Sequence, residues 1–194
     1  MPSGRVLEEL GIAEGGYILA IGTIEPRKNH RRLLAAFEKL ATAGLDLRLV
    51  ILGRWGWRSD AFRRELEASP VRDRVFLAGH RPDPEMATLL AHSAVLAYPS
   101  TYEGFGLPVV EAMAAGIPVV TSRASALPET AGGAAVLVDP LDVGSIADGL
   151  VEALARRDEL AAAGRARVAG RTWVDVAEET IEVYRRAADQ PPYG

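Results

Sequence analysis

The chain has 194 residues, of which 48% are hydrophobic, so it can close one ordinary core, or one core with a helical appendage. Its formal net charge of −4 supplies no basic field for a polyanion, which argues against a nucleic acid partner and leaves any phosphate ligand to be held by local groups. The absence of cysteine excludes disulfides and thiolate metal sites and favours a reducing compartment, so we expect a cytoplasmic location.

Residues 1–16 are predicted to be a linker that follows a missing N-terminal domain. They lack the basic start and the continuous apolar run of a signal peptide, and the sequence contains no apolar stretch long enough for a transmembrane segment. The first buried-strand pattern begins only at Tyr17. We therefore expect the sequence to be part of a longer protein.

Short apolar runs that suit buried strands alternate with longer segments of helical periodicity. The strand candidates are residues 17–21, 47–52, 75–78, 94–98, 118–121 and 135–138. They are almost uniformly apolar, as expected for parallel strands that are covered on both faces. Right-handed strand–helix units of this kind predict an α/β fold with a Rossmann-like, doubly wound parallel sheet of about six strands and a crevice at the carboxyl ends of the strands.

After Val138 the sequence is helical to its end, with Asp142 predicted to begin one helix and Thr172 the last one. The last helix carries a single apolar face that packs either on the chain's own sheet, which is the favoured alternative, or on a partner domain absent from this chain. The residues of that face are Trp173, Ala177, Ile181, Tyr184 and Ala188. The predicted division is an α/β domain of residues 17–171 and a C-terminal helix and tail of residues 172–194.

Two glutamates surround a glycine-rich turn after the fourth predicted strand. Glu103 lies in the turn, and Glu111 lies about one turn into a helix that Pro108 is predicted to begin. The amides of Gly106 and Leu107 at that helix start can bind an anion, and carboxylates accept hydrogen bonds from vicinal hydroxyls. The arrangement suits a nucleotide sugar, although either glutamate taken alone is better explained as a solvated loop or helix-start carboxylate.

A basic pair follows the first predicted strand. Arg27 and Lys28 come directly before Asn29, the predicted N-cap of the next helix. Cations are unfavourable at a helix N-terminus, which is already positive, unless an anion binds there. The pair therefore favours an anion site, with a solvated basic turn as the alternative.

Four motifs occur in order at these strand ends: G-T-I-E-P-R-K-N at 22–29, G-R-W-G-W at 53–57, E-G-F-G-L-P at 103–108 with Glu111 eight residues after Glu103, and G-I-P-V-V-T-S at 116–122 followed by L-P-E at 127–129. Together they resemble the C-terminal, donor-binding half of the retaining GT-B glycosyltransferases of family four, the glycosyl transferases group 1. The resemblance spans about residues 17–184.

The resemblance implies a role for each matching residue. Arg27 and Lys28 would hold the donor diphosphate and stabilise the leaving nucleoside diphosphate. Glu103 would bind hydroxyls of the transferred sugar, and Glu111 would bind the ribose. The backbone of residues 104–107, comprising Gly104, Phe105, Gly106 and Leu107, would meet the phosphates and the sugar.

Three further assignments are less direct. Gly22 and Thr23 would line the donor site, and Phe76 would lie near the base. Many relatives carry an arginine shortly after the glycine that follows the first strand, six residues before the lysine, but this loop is shorter and has Thr23 after Gly22. The resemblance therefore leaves Arg27 as the second phosphate cation, or leaves that cation missing. Trp57 is interpreted as a packing residue.

The resemblance also implies a reaction and its partners. The enzyme would transfer a hexose, with mannose favoured, from a GDP-sugar or UDP-sugar to a glycan or lipid acceptor in polysaccharide biosynthesis, with retention of configuration. No metal is expected, because His30, His80 and His92 lack metal-ligand spacing. The acceptor domain would be missing from this chain, which would be inactive alone, and peripheral membrane contact of the full enzyme stays open.

Two alternatives remain from the sequence. The chain could be a non-catalytic module that binds nucleotide sugars, although the retained Arg27, Lys28, Glu103 and Glu111 argue against loss of function. It could also be half of a sugar-nucleotide epimerase with the same architecture. The E-P-R-K-N loop favours the transferase.

Overall fold

The computed structural model describes residues 3–170 and 172–189. Six parallel strands form one sheet with the order β3-β2-β1-β4-β5-β6. The strands are β1 (Tyr17–Ile21), β2 (Arg48–Leu52), β3 (Val75–Gly79), β4 (Val95–Tyr98), β5 (Val119–Ser122) and β6 (Val136–Val138). Each lies within one residue of its predicted bounds, so the predicted α/β, Rossmann-like fold is confirmed.

Helices precede the first strand, connect successive strands and continue the chain after the last strand. They are α1 (Ser3–Leu10), α2 (His30–Thr42), α3 (Asp60–Ala68), α4 (Asp83–Ala91), α5 (Leu107–Ala115), α6 (Leu127–Ala131), α7 (Val143–Ala155), α8 (Arg157–Val168) and α9 (Trp173–Ala188). Within the described ranges, none of them combines the length and the apolar character needed to cross a membrane.

Both faces of the sheet are buried, each under its own hydrophobic cluster. Alternate residues of a strand point to opposite faces, so Ile18 and Ala20 join the cluster beneath α2, α3 and α7, whereas Tyr17 and Leu19 join the cluster beneath α1, α4, α5 and α6. This double coverage explains why the strands read as continuous apolar runs.

The strand order reverses between the two central strands, β1 and β4. Ile18 pairs with Val95, and Leu19 pairs with Leu96, which places the loops after these two strands side by side at the carboxyl edge. The amide of Thr101 donates to the carbonyl of Arg27 at 2.8 Å and ties the two loops together. Such a reversal is the usual ligand crevice of a doubly wound sheet.

The amino-terminal segment differs from the predicted linker. Residues 3–10 form helix α1, which contacts α4, and Val6 and Ile12 are buried in the second hydrophobic cluster. The prediction relied on the start of the strand pattern and overlooked Val6, Leu7 and Leu10, which give this short helix an apolar side. The described part of the segment belongs to the domain's packing.

Helix α9 begins as predicted but does not pack as predicted. Thr172 and Asp175 form a capping box, which fixes the helix start. None of the described residues of α9 is buried, and Trp173, Ile181 and Tyr184 are 75%, 47% and 69% exposed. The expected packing on the sheet is wrong because the other helices already cover both faces.

We predict that a chain ending at residue 170 retains its fold. Removing α9 takes away no buried side chain, so the thermal unfolding midpoint of the shortened chain is expected to change by only a few degrees. Circular dichroism measures this change directly. A chain ending at residue 156 is the contrasting variant, because it also loses α8, whose Leu160 and Ala161 are buried. Unfolding of both shortened chains would contradict a self-sufficient core.

Candidate functional site

The turn after β1 places Lys28 against the backbone of Gly22. Residues 26–28 form a single turn of 3₁₀-helix, and Gly22 has a φ of 139°. A Cβ atom on Gly22 would lie 2.9 Å from Cε of Lys28. Both the dihedral angle and the close contact require glycine here, and the missing Cβ lets the lysine stem lie along the strand end.

Asn29 holds this turn against the rest of the carboxyl edge. Its side-chain amide donates to the carbonyls of Pro99 and Pro140, at 2.9 and 2.6 Å, which joins the loops after β4 and β6. Asn29 stands at the N-cap position of α2, as predicted, but its side chain makes no capping bond. The reason is its left-handed backbone, with a φ of 62°, where a capping residue is usually extended.

The glycine-rich loop after β4 is supported from β5 and α6. The hydroxyl of Thr121 donates to the carbonyl of Tyr98 at 3.0 Å, and the hydroxyl of Thr130 donates to the carbonyl of Phe105 at 2.5 Å. Gly106 has a φ of 96°, and a Cβ atom there would lie 2.6 Å from Cδ2 of Leu127. The L-P-E motif therefore begins a short helix that packs under the loop.

Three predicted site residues converge at this edge. Oε1 of Glu103 accepts from Nζ of Lys28 at 2.7 Å, and Oε2 of Glu103 accepts from Nη1 of Arg27 at 2.7 Å. The Lys28 ammonium also donates to the hydroxyl of Tyr98 at 2.6 Å. The side chains of Lys28 and Glu103 are only 11% and 9% exposed, whereas that of Arg27 is 38% exposed. The sequence pointed to the three charged residues but missed Tyr98.

The electrostatics of Glu103 are set by opposing effects. Burial raises the pKa of its carboxyl, but hydrogen bonds and charge from Lys28 outweigh burial and hold the pKa below its ordinary value. Burial raises the pKa of Tyr98, and the nearby Glu103 raises it further. At neutral pH the edge therefore holds an ionised Glu103, a neutral Tyr98 and two cations.

A second carboxylate, which the sequence interpretation left out, completes the cluster. Oε1 of Glu25 accepts from Nε and Nη2 of Arg27 at 3.1 and 2.8 Å, and Oε2 accepts from Nε1 of Trp57 at 2.9 Å. Trp57 is 58% exposed, so its interpretation as a packing residue is wrong: its apolar ring faces solvent while its indole N–H fixes Glu25. The cluster pairs two acids, Glu25 and Glu103, with two bases, Arg27 and Lys28.

Five other predicted site residues lie at the surface, whereas Gly106 is buried. Phe105 is 50% exposed and Leu107 is 46% exposed, and Gly104 is exposed as well. Glu111 is exposed on α5 and makes no hydrogen bond or ion pair with any residue that the structure describes. Thr23 is exposed after β1. These residues are accessible to a ligand, in contrast to the largely buried Glu103.

Phe76 is not brought to this edge. It is the second residue of β3 and pairs with Val50, the middle residue of β2, and it packs in the hydrophobic cluster that contains α1. The guanidinium of Arg48, at the start of β2, lies 4.9 Å from its ring centroid. The strand reaches the carboxyl edge three residues later, at Gly79, so the structure does not support Phe76 as a contact of the base.

No group of three or more metal-ligating side chains occurs among residues 3–170 and 172–189. His30 is buried beside Phe62, with their ring centroids 5.8 Å apart. Burial, with a contribution from the charge of Lys28, lowers the pKa of His30 to about 4, so the imidazole is neutral. Metal independence stays a prediction.

The parallel sheet, with its reversal of strand order between β1 and β4, defines a Rossmann-like α/β fold. The chain belongs to the glycosyl transferases group 1 family, whose model matches residues 7–167. This confirms the family that the four motifs predicted, and the fold fits the C-terminal domain of a GT-B glycosyltransferase.

Curated relatives of this chain include mannosyltransferases. The O-antigen chain mannosyltransferase B of Escherichia coli is 36% identical over 184 residues, which cover 93% of this chain and 48% of the relative. The phosphatidyl-myo-inositol mannosyltransferase of Mycobacterium tuberculosis strain H37Rv is 33% identical over 186 residues, covering 90% of this chain and 48% of the relative. The chain therefore spans about half the length of these relatives.

Solved structures give the same picture of the fold. Sucrose-phosphate synthase from Thermosynechococcus elongatus matches with a TM-score of 0.76 at 29% identity, over 95% of this chain and 48% of that one. Anabaena HepE in complex with UDP matches with a TM-score of 0.79 at 22% identity, over 95% and 52% of the two chains. At such identity HepE supports the fold alone.

We predict that Glu103→Gln lowers the free energy of unfolding at neutral pH by about 1–3 kcal/mol, because Lys28 loses its charged partner in a largely buried place. The native pKa of Glu103 lies below its ordinary value of 4.5, so the ion pairs stabilise the fold fully above that pH. Their contribution is lost as the pH falls through the native pKa.

Urea unfolding of both proteins across the pH range tests this prediction. The difference in stability between parent and variant is expected to be constant near neutral pH and to shrink in acid. A difference that does not depend on pH would contradict the assignment of an ionised, paired Glu103.

Proposed function

We propose that the chain is the donor-binding domain of a retaining hexosyltransferase that uses a nucleoside diphosphate sugar, with mannose favoured. The observation that carries the proposal is the convergence of Arg27, Lys28 and Glu103 where β1 and β4 end. The mannosyltransferase relatives support the choice of sugar. GDP-mannose is therefore the first donor to test, with UDP-sugars as the alternative.

The cations supply the charge that the leaving group needs. When the bond between sugar and diphosphate breaks, negative charge accumulates on the diphosphate, and a fixed cation nearby lowers the energy of that transition state. Lys28 is suited to this because its stem is confined by Gly22 and its position is set by Tyr98. Arg27 is the second candidate cation, and the backbone at the start of α5 provides further donors.

The two glutamates are proposed to bind different hydroxyls. Glu103 lies between the cations, so the sugar of a diphosphate held by those cations would come within its reach, and Glu103 would position that sugar. Glu111 lies on the exposed surface of α5, and we assign it to the ribose. Neither residue has to act as a nucleophile if the acceptor hydroxyl enters on the face that the diphosphate leaves.

The acceptor would be a glycan or lipid held by another domain. The chain covers 48% of its curated relatives, which is consistent with a missing N-terminal domain in the full enzyme. Transfer requires both substrates in one crevice, so the chain alone is expected to bind donor without transferring sugar. The exposed apolar side chains of α9 would lie against that domain.

We predict that Lys28→Ala weakens GDP binding by roughly 10- to 100-fold, the loss of about 1.5–3 kcal/mol expected for a charge-assisted hydrogen bond. Isothermal titration calorimetry with GDP and UDP measures the effect. The titrations are run with and without EDTA, and parent affinity is expected to be equal in both because no metal takes part.

Lys39→Ala is the matched control, since Lys39 is the only other lysine and lies exposed on α2. It should bind GDP like the parent. Equal affinity of Lys28→Ala and parent would refute the phosphate assignment, and loss of binding in EDTA would refute metal independence.

We predict that Glu111→Ala weakens GDP and GDP-mannose by the same factor, of the order of 10-fold, because the ribose is common to both ligands. Glu103→Ala should weaken GDP-mannose alone, because it removes a sugar contact and leaves the cations to the diphosphate. Glu67→Ala, an exposed helical glutamate on α3, is the control. Equal losses for both ligands in both variants would contradict this division of roles.

A further inference from the structure

We propose that Glu25 is a positioning residue of the donor site: its carboxylate orients Arg27, and Arg27 orients Glu103 toward the transferred sugar. This inference rests on the proposed function, in which Glu103 binds sugar hydroxyls. Glu25 was not among the residues to which the sequence gave a role.

Both oxygens of Glu25 are engaged. One accepts from Nε and Nη2 of Arg27, and the other accepts from the indole of Trp57, in the loop after β2. The Glu25 side chain is only 13% exposed. Contact with the β2 loop therefore fixes the carboxylate independently of Arg27.

Glu25 determines which edge of the guanidinium faces Glu103. Because it occupies Nε and Nη2 of Arg27, the remaining nitrogen, Nη1, is directed at Oε2 of Glu103 and at the carbonyl of Tyr102, at 2.7 and 3.0 Å. The planar guanidinium thus joins two carboxylates through different edges. Turning its plane would move its contact with Glu103.

Arg27 is the adjustable member of the cluster. Lys28 is 11% exposed, is confined by Gly22 and bonds Tyr98, so its contact with Glu103 is well fixed. Arg27 is 38% exposed and has several rotatable bonds. Without Glu25 it would sample more rotamers, and Glu103 would keep only the lysine as a fixed partner.

A role limited to stabilising the turn after β1 does not account for the contacts of the Glu25 side chain. The backbone of that turn is already held by the amides of Lys28, Asn29 and Thr101, which donate to the carbonyls of Glu25, Pro26 and Arg27. The Glu25 side chain adds nothing to these bonds. What it adds is the orientation of one guanidinium, and that guanidinium contacts Glu103.

The test measures how much the sugar adds to affinity, as the ratio of the dissociation constants of GDP and GDP-mannose. We expect Glu25→Gln to lower this ratio by about 3- to 10-fold, the effect of weakening one charge-assisted contact, while GDP itself binds no more weakly. Calorimetry with both ligands gives the ratio, and thermal unfolding confirms that the variant is folded.

A double variant separates positioning from general damage. In a Glu103→Gln background, Glu25→Gln should not lower the ratio further, because Glu25 acts through Glu103. Trp57→Phe, at an exposed position, should lower the ratio in the same direction by a smaller factor. Glu65→Gln is the matched control, because it breaks a comparable but exposed pair with Arg31. It should leave both affinities unchanged.

The outcomes are distinct. The inference is supported if the parent binds GDP-mannose better than GDP, and if Glu25→Gln lowers the ratio of dissociation constants only in chains that retain Glu103. Equal weakening of both ligands by Glu25→Gln, or an additive loss in the double variant, would overturn it while leaving the proposed function intact. No binding of either ligand by the parent would reject the proposed function, and the role of Glu25 with it.

Discussion

The two ion pairs of Glu103 join the loops that follow β1 and β4, the central strands where the strand order of the sheet reverses. The cations Arg27 and Lys28 come from the first loop, and their shared partner Glu103 comes from the second. Lys28 and Glu103 are largely buried, so leaving either of them unpaired would cost free energy. The surrounding glycines, hydroxyls and the Asn29 amide act together to keep the loops in register for these pairs.

The sheet and its crevice could be predicted from the sequence because they depend on patterns that are local. A run of about five apolar residues is enough to predict a buried parallel strand. The last residue of that run then marks the carboxyl end of the strand. The contacts of the site are not local. Lys28 reaches Tyr98 across 70 positions and Asn29 reaches Pro140 across 111, so neither partner could be read from spacing. Glu25 was overlooked for the same reason, since its significance depends on an indole 32 positions away.

The structure departs from the sequence predictions at helices α1 and α9, and both departures have one physical cause. An apolar stripe on a helix does not identify the surface against which the helix packs. Helix α1 has too few residues for a clear period, yet it buries Val6 because α4 offers a surface. Helix α9 has a clear period and buries nothing among its described residues, because other helices cover the sheet first.

The distribution of exposure around the site agrees with the proposal that another domain faces it. Glu103 and Lys28 are largely buried, while the neighbouring Tyr102, Phe105 and Leu107 are 65%, 50% and 46% exposed. Apolar side chains around a concealed charged centre cost free energy in water, and a facing domain would remove that cost when it closes over the crevice. Closure would also exclude water from the ion pairs and so strengthen their influence on the departing diphosphate. Under the proposed function, the isolated chain would therefore bind the donor but lack the dry environment in which the site would be effective.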